Sequence, residues 1–104
     1  MRKITQEIVQ AFENGTPLKR TNTETDGNNI WLHGNKIAKK LDYKLSITNC
    51  GWQTNTTRER LNGLRNVHIQ QKNYEWFLNG KEWDGAWVII NRDGTWEYAM
   101  QINE

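Results

Sequence analysis

NIWLHGNKIAKKLDYKLSIT, residues 29–48, holds three short apolar units separated by turn-forming residues. The units lie at residues 29–33, 36–40 and 44–48, with Gly34-Asn35 and Asp42-Tyr43 between them. Short apolar units divided by Gly, Asn or Asp are typical of strands joined by turns. The segment therefore predicts a three-stranded meander. Its expected core residues are Ile30, Leu32, Ile37, Leu41, Leu45 and Ile47.

The rest of the chain carries further strand and turn signals. Asn79-Gly80 and Asp93-Gly94 are strong hairpin signals, because these residue pairs tolerate the positive φ angles that tight β-turns require. Asp26-Gly27 is a third turn signal, and the polar stretch before it is expected to form an edge strand. The strands outside the meander are expected at residues 18–25, 67–71, 75–78, 85–91 and 95–100.

A first helix is expected over residues 5–14. Thr5 can cap its start, and Asn14-Gly15 supplies a stop signal. A helix of about ten residues is marginal in isolation, so this one must dock on the rest of the domain. The apolar residues that share one face of it at helical spacing are Ile4, Ile8, Val9 and Phe12.

A second helix is expected over about residues 57–64. Thr56 and Glu59 have the spacing of a capping box, in which each side chain bonds the backbone amide of the other residue. Gly63 suits the C-terminal stop of this helix. Together these signals predict a single α+β domain over residues 1–104, with about six to seven short, mostly antiparallel strands and two short helices.

Charge is distributed unevenly along the chain. Fourteen Lys and Arg residues against twelve Asp and Glu give a net charge of only +2. Residues 1–73 hold twelve basic and six acidic side chains, whereas residues 74–104 hold two basic and six acidic ones. This division predicts an electropositive face that would attract polyanions. The alternative is that these charges only solvate the surface.

The composition also bears on the compartment. The one cysteine, Cys50, has no intrachain partner for a disulfide, which fits a reducing cytoplasm. No apolar run approaches the ~20 residues that a membrane span requires, and the polar start of the chain does not read as a signal peptide. We therefore expect a protein of the cytoplasm that makes no contact with a membrane.

The strongest candidate site lies in residues 51–64, GWQTNTTRERLNGL. Here a helix start could offer hydroxyls and backbone amides to a phosphate, with two arginines adding charge. The alternative is a plain helix cap with arginines facing solvent. Between Lys36 and Lys72 there are eight basic and two acidic side chains, with Tyr43 and Trp52 among them. Cations and interleaved aromatics are the components of a single-strand binder, unless Trp52 belongs to the core. The predicted nucleic-acid contacts are Trp52, Thr56, Thr57, Arg58, Arg60, Arg65, Lys39 and Lys40.

The C-terminal third is rich in tryptophan, and two interpretations remain open. These side chains are either the core of a small sheet or exposed contacts for a partner protein, where tryptophan is enriched. The second interpretation includes a possible homodimer. The residues concerned are Trp76, Trp83, Trp87 and Trp96.

Catalytic and metal-binding residues are poorly represented. His33, Cys50 and His68 are scattered at intervals that match no standard zinc spacing, and no pair of carboxylates stands out. A dyad of Cys50 with either histidine would require them to meet in the folded chain. We therefore expect no enzyme activity, no metal and no cofactor.

Three segments resemble a group of small proteins encoded by tailed bacteriophages: residues 32–38 (LHGNKIA), 51–62 (GWQTNTTRERLN) and 71–85 (QKNYEWFLNGKEWDG). The resemblance covers roughly residues 17–88. Residues 89–104 add the Asp93-Gly94 hairpin, so the last strand is expected to be peculiar to this version. The resemblance implies a phage origin, expression in the host bacterial cytoplasm, and an accessory role such as host takeover or evasion of defence.

The residues and the resemblance together predict a phage accessory protein without catalytic activity. Its expected partner is nucleic acid, or a host factor that handles nucleic acid, bound through the basic face. The alternative is an inhibitor of a host or defence protein that acts through the tryptophan-rich surface.

Overall fold

The computed structural model describes residues 2–99 of the chain. Helix α1 spans Lys3–Asn14 and buries its apolar face, as expected. Gly15 ends it in the left-handed conformation, which confirms the predicted stop. The prediction that Thr5 caps the helix was wrong, because the chain becomes helical two residues earlier and Thr5 lies fully buried inside it.

All strand pairs are antiparallel, and they form two sheets. The strands of the seven-stranded sheet, in spatial order, are β1 (Leu18–Arg20), β2 (Thr23–Thr25), β3 (Asn29–Leu32), β4 (Asn35–Leu41), β5 (Lys44–Ile47), β9 (Val88–Ile90) and β10 (Trp96–Tyr98). The three-stranded sheet holds β6 (Ile69–Lys72), β7 (Glu75–Leu78) and β8 (Lys81–Glu82). Helix α2 (Asn55–Leu61) lies between β5 and β6 in the chain.

The predicted α+β class, the two helices, the meander at residues 29–48 and both hairpins are confirmed. Residues 2–99 contain ten strands rather than six to seven. One reason is that residues 18–25 turn sharply at Thr21, where φ is 50°, and so form two strands in place of one. Another is the short strand β8, which was not predicted. The expected strand at 95–100 is shorter, and position 100 lies outside the described residues.

One continuous core joins both helices and both sheets. Of the expected core residues in the meander, Leu41 and Leu45 are only partly buried, and the other four are buried. Trp96 of the large sheet donates its indole N–H to the carbonyl of Leu78 in the small sheet at 2.8 Å. The two sheets are therefore joined by a polar bond as well as by apolar packing.

Helix α2 begins earlier than predicted. Its N-cap is Thr54, whose hydroxyl accepts from the Thr57 amide at 3.1 Å. The predicted capping box of Thr56 and Glu59 was wrong, because a start at Thr54 places Glu59 too far along the helix to reach back. Gly63 is not a left-handed stop either. A Cβ there would lie 2.5 Å from Cγ2 of Thr5, so Gly63 permits the close approach of α1.

The side chain of Arg60 is buried, with 4% of its surface exposed, and it connects three elements. Its Nε donates to the hydroxyl of Thr23 in β2 at 2.9 Å, and its Nη1 donates to the hydroxyl of Thr5 in α1 at 2.8 Å. Nη1 also lies 2.9 Å from Oε1 of Glu59. The Thr5 hydroxyl donates to the same carboxylate oxygen. Because a buried charge is tolerated only with such partners, this network holds α2 against α1 and β2.

Glu59 completes the network electrostatically. Partial burial raises the pKa of Glu59. The hydrogen bonds from Thr5 and from the Arg2 amide, together with the Arg60 charge, lower this pKa by more than burial raises it. The net result is a pKa below the ordinary value of 4.5. The ionised form of Glu59 is therefore favoured by folding.

We expect Arg60→Ala to lower the free energy of unfolding by about 3 kcal/mol, because it removes the hydrogen-bond donor of Glu59 and of two buried threonine hydroxyls. Urea denaturation followed by circular dichroism measures this. Arg58→Ala is the matched control, because the Arg58 side chain bonds, within residues 2–99, only the exposed side chains of Asn55 and Gln71. The control should lose less than about 1 kcal/mol. Equal losses in the two variants would show that the buried network does not stabilise the fold.

The stabilising effect of Glu59 should depend on pH. The pKa of Glu59 is lower in the folded than in the unfolded chain. Its contribution to the free energy of unfolding is therefore complete above about pH 4.5, and it is lost as the pH falls through the pKa of the folded chain. The difference in unfolding free energy between wild type and Glu59→Gln should therefore shrink on acidification. Urea titrations of both proteins from about pH 7 to about pH 3 measure it. A difference that stays constant over this range would contradict the assigned role.

Candidate nucleic-acid interface

A cleft of about 240 Å³ opens where four parts of the chain meet: the end of α1, the β4–β5 turn, the segment after α2 and the β9–β10 loop. We call it the basic cleft. Its cationic side chains are Lys40, Lys44, Arg65 and Arg92. Apolar side chains also line it, and they are Phe12, Leu45, Leu64 and Ile90.

The positive charge of the basic cleft is not neutralised by carboxylates. Four cationic residues line it against one acidic residue, Glu13. Within residues 2–99, the ion pairs are Arg20–Glu7 and Arg60–Glu59, and neither involves a cation of the cleft. Unpaired cations gathered in one concave surface focus the electrostatic field there and attract anions.

An aromatic ring stands at the edge of the same cleft. Tyr43 is 82% exposed, and its ring centroid lies 5.4 Å from the guanidinium carbon of Arg92. The Nζ of Lys40 lies 4.9 Å from the centroid of the Phe12 ring. Exposed rings beside cations can stack on a planar ligand while the cations hold its charge.

The structure divides the predicted cations among different surfaces. Lys40 and Arg65 line the basic cleft. Lys39 does not line it, and its Nζ lies 4.7 Å from the Trp87 ring. Neighbouring residues of a strand point to opposite faces, which separates Lys39 from Lys40.

Two cations of the cleft were not among the predicted contacts. Lys44 lies within the basic segment between Lys36 and Lys72, so the sequence already carried a signal for it. Arg92 lies in the acidic C-terminal third and has no local signal. It reaches the cleft because β9 pairs with β5, which places Ile90 opposite Leu45.

The helix-start cluster does not form the anion site that was predicted. Arg60 is buried in the core network, so we remove it from the candidate contacts. Thr57 is also buried, and its hydroxyl lies 2.9 Å from that of Thr54. Arg58 is partly exposed and bonds Asn55 and Gln71. The side chains of Thr54 and Thr57 thus bond each other, and that of Arg58 bonds its neighbours.

Trp52 lies on the surface, with 57% of its area exposed, so the alternative that it belongs to the core was wrong. It borders a second pocket, between the β3–β4 turn and the start of α2. Thr56 and His33 line this pocket as well. None of the four cations of the basic cleft lines it.

The tryptophan-rich segment is mostly core. Trp76, Trp83 and Trp96 are exposed by 1%, 2% and 7%, and only Trp87 is partly exposed. Because Trp76, Trp83 and Trp96 are buried, they are not available as direct contacts for a partner protein. Of the two interpretations of this segment, the structure supports the core of a small sheet.

The two histidines considered for catalysis line different pockets. His33 lines the pocket beside Trp52, whereas His68 lines a different one near Trp96. Loss of hydration raises the pKa of the Cys50 thiol above its ordinary 9.0, which disfavours the nucleophilic thiolate. Among residues 2–99, no three His, Cys, Asp or Glu side chains are grouped to hold a metal.

Comparison with known proteins decides the family. The model of the Kyanoviridae Gp96 protein family matches residues 1–99. The chain belongs to the Kyanoviridae Gp96 family. The expected phage origin is thereby confirmed, since this is a family of phage proteins. No curated protein and no solved structure matches the chain.

The extent of the family match corrects one expectation. It continues through residue 99 and includes β9 and β10, so the last hairpin is not peculiar to this version. All residues that line the basic cleft fall inside the match to the Gp96 family. Neither helix within residues 2–99 is long and apolar enough to cross a membrane.

Proposed function

We propose that this phage protein is a non-catalytic accessory protein that binds single-stranded nucleic acid through the basic cleft, in the cytoplasm of the host bacterium. The observation that carries the proposal is the gathering of four unpaired cations, against one carboxylate, around a cleft with an exposed tyrosine at its edge.

The charge of the cleft favours a polyanion. Like charges held close together repel one another, and a phosphate backbone relieves this repulsion while it releases its own counterions. Two of the cations, Lys44 and Arg65, make no ion pair and no aromatic contact within residues 2–99. Both remain available for phosphates.

The exposed aromatic ring of the cleft favours a single strand over a duplex. Stacking on Tyr43 requires a base whose face is free, and bases in a duplex are stacked on one another. Of the apolar side chains that line the cleft, Phe12, Leu64 and Ile90 are buried, so Tyr43 is the ring that a base can reach. A strand with unstacked bases can use both the cations and this ring.

The absence of catalysis in this proposal is supported by the side chains themselves. His33 and His68 line separate pockets, and the Cys50 thiol donates to the carbonyl of Lys36 at 2.8 Å. Within residues 2–99, Cys50 forms no hydrogen bond with either histidine, so the thiol has no bonded base to activate it. Binding alone accounts for the chemistry that the basic cleft offers.

Titration of labelled single-stranded and duplex oligonucleotides, followed by fluorescence anisotropy at two salt concentrations, tests the proposal. We expect tighter binding of the single strand and a steep loss of affinity with salt. The double variant Lys44→Gln/Arg65→Gln should bind about tenfold more weakly. Its plot of log affinity against log salt should be shallower by about 1.4, since each single-strand phosphate contact contributes about 0.7.

The matched control is Lys3→Gln/Lys19→Gln, which removes the same charge from exposed positions outside the cleft. It should retain most of the affinity. Similar weakening in both double variants would reveal a response to net charge only and would contradict binding at the cleft. No binding of either nucleic acid at low salt would overturn the proposed function.

A further inference from the structure

The pocket beside Trp52 has a composition different from that of the basic cleft. Its volume is about 280 Å³, and the buried side chains of Leu32 and Ile37 line it together with the exposed indole of Trp52. Ligand pockets for drug-sized molecules measure about 300–1,000 Å³. The Trp52 pocket therefore has room for a single planar ring system rather than for a larger molecule.

The polar groups of the Trp52 pocket are available to a ligand. Within residues 2–99, the side chains of His33, Asn35 and Thr56 form no hydrogen bond, although all three line the pocket. The indole N–H of Trp52 has no partner there either, in contrast to those of Trp83 and Trp96. Donors and acceptors thus border an apolar, ring-sized space.

We infer that the Trp52 pocket takes one unpaired nucleobase, stacked on the indole and hydrogen-bonded along its edge by His33, Asn35 and Thr56. This inference rests on the proposed function and adds a second subsite to it. A nucleobase combines a flat π-face with an edge of donors and acceptors, which is the combination that the pocket offers.

The main competing occupant is an apolar side chain of a partner protein. Such a side chain would fill the apolar part but leave the bordering polar groups without partners, which costs free energy when water is displaced. Among residues 2–99, no carboxylate lines the pocket, so none of their acidic groups there opposes the phosphates that accompany a base. Both facts favour the nucleobase.

The first experiment compares a single-stranded oligonucleotide with an abasic sugar–phosphate oligomer of the same length. Trp52→Ala should weaken binding of the base-containing oligomer about tenfold, within the range measured for base stacking, and leave binding of the abasic oligomer unchanged. Tyr74→Ala is the matched control, because Tyr74 is 88% exposed and lies in the β6–β7 turn. It should alter neither affinity.

The second experiment titrates wild type with uncharged nucleosides and follows the indole N–H of Trp52 by NMR, assigned with Trp52→Phe. A saturable shift of this signal is expected. Because nucleosides carry no phosphate, this arm does not depend on the basic cleft. N-acetyl-phenylalanine amide is the comparison probe. If it shifts the signal and nucleosides do not, the pocket accepts protein side chains and the inference is wrong.

The two proposals fail in different ways. If neither oligomer binds wild type, the proposed function is overturned, and the nucleoside titration still decides the pocket. If both oligomers bind and Trp52→Ala leaves both affinities unchanged, binding at the basic cleft is still supported and the nucleobase subsite is overturned.

Discussion

The buried guanidinium of Arg60 is the constraint on which the arrangement of this fold depends. Removing a charge from water is costly unless oxygen acceptors surround it, and here they come from Thr5 of α1, Thr23 of β2 and the neighbouring Glu59. These oxygens converge only when α2 lies against α1 and β2 of the large sheet. The network therefore sets the position of α2, and with it the placement of Trp52 before the helix and Arg65 after it.

The basic cleft shows what this arrangement leaves exposed. The core buries three tryptophans and one arginine, while four other cations converge on a cleft that a single carboxylate within residues 2–99, that of Glu13, lines. Pairing of β5 with β9 brings Arg92 to the side of Lys44 and Tyr43. Close cations that lack counterions lower the stability of an isolated chain, and this cost is offset when a polyanion is bound. The charge distribution is more readily explained by ligand binding than by folding.

Local signals predicted the fold well where a turn residue acts on its nearest neighbours. Gly15 ends α1, and the turns at residues 79–80 and 93–94 join strands as expected. The capping box failed because Thr54 and Thr56 are both chemically suitable caps, and local spacing does not choose between them. The carboxylate of Glu59 is instead engaged by Arg60 and by Thr5, and Thr5 is distant in sequence, so no local spacing reveals this contact.

By itself, the sequence determined the α+β class, the antiparallel hairpins and the excess of cations in residues 1–73, because these follow from periodicity, turn chemistry and composition. Only the tertiary structure decided which cations line the basic cleft. Arg58 and Arg60 stand two residues apart, about 200° around the helix, so one faces outward and the other enters the core. Leu61 and Leu64 mark the buried side of α2, but the acceptors that allow the Arg60 charge to be buried there come from Thr5 of α1 and Thr23 of β2, which are distant in the chain.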